Sequence, residues 1–155
     1  HMAATYTITH DKGTTFKFYA LYKDSTGDAI DLASQTARMQ VRRSPNDTEV
    51  ALFITGTTMN NAGGTVFAGS VTHGGATGVF TIGGTNGTTG TGDIKLNAGV
   101  TGATGTTGGI FVEFDAVSSS FLPTGKMFYD IELVEGEEVT RLVEGRFEVT
   151  ANVTR

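Results

Sequence analysis

The 155-residue chain has no cysteine and no tryptophan, and each absence closes off a class of function. Without cysteine there is neither a disulfide framework to staple a core nor a thiolate metal site. Without tryptophan, the large flat aromatic platform most often used to stack a sugar ring is missing. Positive charge is scarce as well: 11 Lys and Arg against 16 Asp and Glu leave a net charge of −5. That excludes the clustered basic surface that nucleic-acid binding through phosphates requires. The nearest basic group, Arg38, Arg42 and Arg43, reads as a solvated strand face. No run approaches the ~18 apolar residues needed to span a bilayer. No basic and apolar leader opens the chain, and His1 reads as a cloning remnant before a native Met2. The expectation is one soluble domain, residues 2–155, made in the cytosol, with no nucleic acid and no membrane as partner.

Helical periodicity is also lacking, whereas alternation of period two is abundant. Its strongest instance is the last third of the chain. Met127, Tyr129, Ile131 and Leu133 alternate with Asp130 and Glu132, as expected of a half-buried strand. The acidic Glu135-Gly136-Glu137-Glu138 breaks the pattern, and a second arm follows with Phe147 and Val149 alternating against Glu148 and Thr150. This predicts a hairpin whose second arm bends or bulges at Gly145. Upstream, Thr5–Thr9 is a short strand with Tyr6 and Ile8 on one face. Thr14–Tyr22 is a strand apolar on both faces towards its end, hence a central one. Thr36–Arg42 alternates Ala37, Met39 and Val41 with Arg38, Gln40 and Arg42, and Glu49–Thr55 follows beyond the break at Pro45.

Between residues 56 and 109 the composition changes. This block holds 17 of the 22 glycines, and Asp93 and Lys95 are its only charges. Thr65–Val71, Gly78–Ile82 and Asp93–Leu96 are short strands among Gly-Thr-Asn connectors. Such connectors bury too little apolar area to offset their ordering entropy. The block therefore reads as an insertion that projects from the domain and is held by contact with neighbours. Regular strand resumes at Gly109–Asp115. Eight to ten short strands separated by turns predict an all-β sandwich.

Chemistry-bearing residues are sparse and scattered. Asp24, Asp28 and Asp31 are close in sequence, but they lack the spacing and terminal glutamate of a calcium loop and read as turn residues. Glu135, Glu137 and Glu138 read as a hydrophilic hairpin tip. His10 and His73 have no carboxylate and nucleophile pattern around them. Thr124-Gly125-Lys126 resembles the end of a phosphate-binding loop, yet position 120 is Ser120 and Met127 follows the lysine. Leu122-Pro123-Thr124-Gly125 is one residue short of a sortase signal. The triplets starting at Asn46, Asn86 and Asn152 match the N-glycosylation acceptor pattern as a threonine-rich chain does by chance. No catalytic, cofactor-binding or metal-ligating residue is assigned, and no enzyme is expected.

The two ends of the chain carry a resemblance. The segments are Gly13–Phe16, Tyr22–Leu32, Thr36–Arg42, Gly125–Leu133, Arg141–Val149 and Val153–Arg155. Together they resemble the small immunoglobulin-like domains of tailed-bacteriophage particles, similar to the N-terminal domain of baseplate upper proteins. The likeness covers about the first 55 and last 45 residues and departs in the Gly/Thr-rich middle. It implies an immunoglobulin-like antiparallel sandwich in a virion structural protein of the tail, baseplate or fibre. Such a protein is assembled in the host cytoplasm, with other virion proteins and copies of itself as partners and no cofactor. The alternative is a carbohydrate-binding or adhesin-type sandwich that recognises a host surface glycan through Tyr, Asn and Thr residues.

Overall fold

The computed structural model describes residues 4–46, 49–56, 65–74, 79–82, 85–86, 92–103, 105–120 and 122–151. For 49–50, 53, 55–56, 65–74, 79–82, 85–86 and 117–118 it describes the backbone alone. The first strands are β1 (Ala4–Thr5), β2 (Ile8–Asp11), β3 (Phe16–Leu21), β4 (Thr36–Arg42) and β5 (Glu49–Gly56). The Gly/Thr-rich block contributes β6 (Thr65–Gly74), β7 (Val79–Ile82), β8 (Thr85–Asn86) and β9 (Gly92–Leu96). Strand β10 (Gly109–Phe114), the single-turn helix α1 (Ala116–Ser120), β11 (Gly125–Glu135) and β12 (Glu138–Thr150) complete the chain.

These strands form two sheets. The larger runs β1-β12-β11-β4-β5-β6-β7-β8, with β2 also on β12; the smaller runs β3-β10-β9. An order β12-β11-β4-β5-β6 facing β3-β10-β9 is that of a variable-type immunoglobulin domain. The fold is thus an immunoglobulin-like β-sandwich, with β7 and β8 added from the Gly/Thr-rich block.

Alternation decides which face each strand buries. Met127, Tyr129, Ile131 and Leu133 of β11 and Ala37, Met39 and Val41 of β4 turn inward, each less than 5% exposed. The opposing sheet contributes Phe16, Ile94, Leu96, Ile110, Val112 and Phe114 to the same core. At the tip of the β11–β12 hairpin, φ is positive at Gly136 and not at Glu137, the pattern of a type II′ turn.

Four features depart from the sequence expectations. The Thr5–Thr9 segment is split, because Ile8 is buried while Tyr6 is 54% exposed. Both halves run parallel to β12 along the same edge and in one register, with Thr5 opposite Glu144 and Ile8 opposite Phe147, and the ladder is interrupted between them. At the interruption the Tyr6 backbone lies against Gly145, where a Cβ would stand 2.2 Å from the Tyr6 carbonyl oxygen. The glycine therefore admits another backbone, and the β-bulge lies at Leu142, which is passed over between the pairs Glu132–Arg141 and Ile131–Val143. A bulge sets two consecutive residues against one partner, and Leu142 and Val143 are accordingly both buried.

The third departure is β3, which is an edge strand. The central strand of the small sheet is β10. Its outer residue Phe111 is only 2% exposed because the loop after β9 lies over it, with Gly102 against the ring. The fourth concerns the Gly/Thr-rich block, whose last part is built into the domain: Ile94, Leu96 and Ala98 are fully buried or nearly so. What orders this glycine-rich loop is Asn97. Its side-chain oxygen accepts the Leu32 and Gly108 amides at 3.1 and 3.0 Å, and its carbonyl accepts those of Gly105 and Thr106.

Two substitutions test this packing. Ile131→Asp places an unpaired charge at a position with no exposure and costs about 4 kcal/mol or more, so the cooperative thermal transition seen by circular dichroism should disappear. Gly145→Ala forces the Tyr6 backbone away and should cost about 1–3 kcal/mol in urea denaturation; an unchanged midpoint would show that the Tyr6 backbone does not lie against Gly145.

Candidate functional site

The carboxylates singled out in the sequence serve the backbone. Asp24 Oδ1 accepts from the Thr26 amide at 2.9 Å, the Thr26 hydroxyl at 2.6 Å and the Asp28 amide at 3.0 Å. This closed turn, the Thr26 hydroxyl foremost, holds the Asp24 carboxyl below its ordinary value. Asp31 belongs to a different network, accepting from Asn97 Nδ2 at 2.8 Å and from the Ala33 amide at 3.0 Å. Among the described residues no three His, Cys, Asp or Glu side chains gather to hold a metal ion. Glu135 and Glu138 face each other across the hairpin tip, where Ser34 donates to Glu135. Leu122, the first residue of the sortase-like string, is fully buried. The side chains of His73 and Asn86, and the triplets at Asn46 and Asn152 beyond their described parts, lie outside the described residues.

The fold brings together one pair that spacing could not reveal. Ser119 Oγ lies 2.7 Å from His10 Nε2 and accepts the Gly13 amide at 2.9 Å, across 109 and 106 positions of sequence. A serine beside a histidine resembles half of a nucleophilic triad. Here the serine has no exposure and the histidine 6%. The imidazole is wedged edge-on against Phe16 and Phe114, at centroid distances of 5.3 and 5.4 Å. No substrate atom reaches this pair, which clasps the β2 turn to α1. Burial lowers the His10 pKa, with a smaller opposing pull from Asp11.

Two surfaces remain. On the outer face of the large sheet, Arg38 Nε donates to Glu132 at 2.9 Å. Arg141 reaches Asp130, Glu132 and Glu144 at 3.4, 3.3 and 3.8 Å. Partial burial, then Glu132, raises the Asp130 pKa against the pull of Arg141. A cleft of about 380 Å³ opens beside this network, lined among others by Gln40, Arg42, Phe128 and Asp130. The Gln40 side-chain oxygen accepts from Arg42 at 2.8 Å.

The second surface is the open side of the sandwich. In a seven-stranded immunoglobulin domain the first strand pairs with the strand corresponding to β3. In this chain β1 and β2 pair with β12, so among the described residues the edge of β3 away from β10 has no strand beside it. The Tyr22 amide bonds the Gly108 carbonyl at 2.8 Å. With Tyr22 opposite Gly108, alternation directs the amides of Phe16, Phe18 and Ala20 to β10 and those of Lys17, Tyr19 and Leu21 outward. Between this edge and β1 lies a cleft of about 810 Å³ whose apolar lining includes Tyr6, Phe18, Tyr22, Leu142 and Val143. The Tyr6 and Phe18 rings meet across it at 5.6 Å. The sequence carries one signal of this edge, a lysine at each end of an apolar run, Lys17 and Lys23; lysine is a common guard of open strand edges.

No family model and no curated protein sequence matches the chain. A solved structure from photo-crosslinking analyses of multimeric cell-adhesive interactions of VGSC beta subunits is similar to it, at 11% identity and a TM-score of 0.39, covering 94% of this chain and 92% of that one. The fold assignment rests on the strand order of this chain and not on that likeness.

The His10–Ser119 clasp predicts a pH dependence. Because the folded-state pKa lies below the ordinary imidazole value of about 6.5, the unfolded chain takes up the proton first as pH falls. The contribution is therefore complete above about pH 6.5 and lost as pH falls through the folded value. Urea denaturation at pH 8 and pH 5 should show His10→Gln with a smaller acid-induced loss than the parent. Ser119→Ala should cost about 1–3 kcal/mol at pH 8, because it leaves the buried imidazole nitrogen and the Gly13 amide without their partner.

Proposed function

We propose that this chain is a non-enzymatic docking module that joins proteins through the open edge of β3. The carrying observation is that edge itself: outward amides at Lys17, Tyr19 and Leu21 beside an apolar cleft of about 810 Å³. An unpaired strand next to an apolar groove is the surface that β-strand addition uses. The described ionisable groups with shifted affinities serve turns, the core or a surface network. Asp24 closes a turn, His10 is packed among rings, and Asp130 lies among Arg141, Glu132 and Glu144.

The terminal segments supply the biological setting. Their likeness to tailed-phage immunoglobulin-like domains supports a structural role in the tail, baseplate or fibre of a virion, with other virion proteins and copies of this chain as neighbours. A second reading, recognition of a host surface glycan, is favoured by the cleft on the outer face of the large sheet. There Phe128, 37% exposed, stands beside the hydrogen-bonding groups of Gln40 and Asp130.

Mass spectrometry of purified particles should find the chain as a stoichiometric component, and its absence from every particle fraction would remove the virion setting. A glycan array probed with the whole chain separates the second reading. Retention by one sugar class, weakened by Phe128→Ala, would move the function to the outer face; the docking reading expects no retention.

A further inference from the structure

We infer that the open edge of β3 takes up an extended segment of a different protein as a fourth strand of the small sheet, and that this segment alternates apolar with acidic residues. The inference rests on the docking reading above and adds the chemistry of the partner. Three features of the cleft set that chemistry.

The backbone sets the conformation. The outward amides and carbonyls of Lys17, Tyr19 and Leu21 repeat every second residue, about 6.6 Å apart, the ladder spacing of an extended chain. A helix cannot satisfy it. The side chains set the pattern. Phe18, Ala20 and Tyr22 turn into the cleft towards Leu142 and Val143, while Lys17, Tyr19, Leu21 and Lys23 share the other face of the strand. An added strand therefore presents apolar residues inward at every second position, and the residues between them lie beside Lys17 and Lys23.

Charge sets the rest. Among the described residues Lys17 and Lys23 are the only charged ones lining the cleft, both are exposed, and neither makes an ion pair. They stand six positions apart, about 20 Å along a strand. An incoming segment with a carboxylate at each end of such a span meets both. The same lysines disfavour a second copy of this chain in one of its two-fold registers. Two-fold antiparallel pairing of β3 with itself about Ala20 sets Lys17 against Lys23 twice, and like charges directly opposite one another destabilise a ladder.

The test uses the whole ¹⁵N-labelled chain and two capped heptapeptides, EVTVTVE and KVTVTVK. Saturating EVTVTVE should slow amide exchange at Lys17, Tyr19 and Leu21 at least tenfold and shift their resonances, with KVTVTVK binding at least tenfold more weakly. The double variant Lys17→Glu, Lys23→Glu, altered only at exposed edge positions, should reverse that preference. Unchanged exchange at these three amides with millimolar EVTVTVE overturns the inference, and so does equal binding of the two peptides. Protection of the same amides that grows with protein concentration in the absence of peptide also overturns it, by assigning the edge to a second copy. Whether the chain is found in particles is read independently, so a chain present in particles that ignores both peptides refutes this inference alone.

Discussion

A single hydrogen bond decides which sheet the N-terminal segment joins, and most of the surface follows from that choice. Tyr129 Oη donates to the Tyr6 carbonyl at 2.7 Å, in the space left by the missing side chain of Gly145. Tyr129 and Gly145 are direct cross-strand partners in the hairpin, so the tyrosine ring and the vacant position face the same side. Burial pushes the Tyr129 hydroxyl far above its ordinary pKa, with Tyr6 adding to the effect, so the hydroxyl keeps its proton and remains a donor. With Tyr6 held there, β1 and β2 are committed to β12. Among the described residues the edge of β3 is left open, and the cleft between the two sheets stays uncovered.

Among the described residues the small sheet has three strands, and its stability depends on what covers its outer face. Asn97 solves this by binding two separate stretches of chain with one side-chain oxygen, fixing the Leu32 and Gly108 amides together. Its own left-handed backbone, φ 53°, turns the chain out of β9; asparagine tolerates that region better than most residues. The loop that follows then lies over Phe111, and Lys95 approaches the same ring at 5.9 Å. The entropic penalty of ordering a glycine-rich stretch is thus offset locally, by side-chain bonds to backbone and by burial of one ring. This is why the last part of the Gly/Thr-rich block behaves as a core element although its composition suggests a projection.

The elements legible in the sequence are those specified by their own alternation. Thr36–Arg42 and the Met127–Leu133 series read correctly because one buried face imposes period two, whatever lies opposite. The acidic tip at Glu135–Glu138 was legible for a similar local reason, since the turn needs a glycine and solvent. What could not be read are relations between distant segments. Apolar residues on both faces of Thr14–Tyr22 suggest a central strand, yet Leu21 is 42% exposed and the inner residues border a cleft. Gly145 looks like a bulge until the Tyr6 backbone is placed against it. His10 and Ser119 meet across 109 positions, with no motif to announce them.

The two candidate surfaces differ in how far their polar groups are already satisfied, and that difference favours the edge. On the outer face of the large sheet Arg141 is shared among three carboxylates, so a ligand there must first compete with interactions already formed. Exposed pairs of this kind are each worth about 0–1 kcal/mol, so the competition is surmountable but yields little net gain. Along β3 the outward amides and carbonyls have no strand partner among the described residues. A backbone that supplies one replaces water on both sides of each bond, and each such bond contributes about 0.5–1.5 kcal/mol net. The adjoining apolar cleft adds burial of the exposed Tyr6 ring, in proportion to the area removed from water. Backbone pairing is indifferent to side-chain identity, so specificity at such an edge must come from the cleft and from its two flanking lysines.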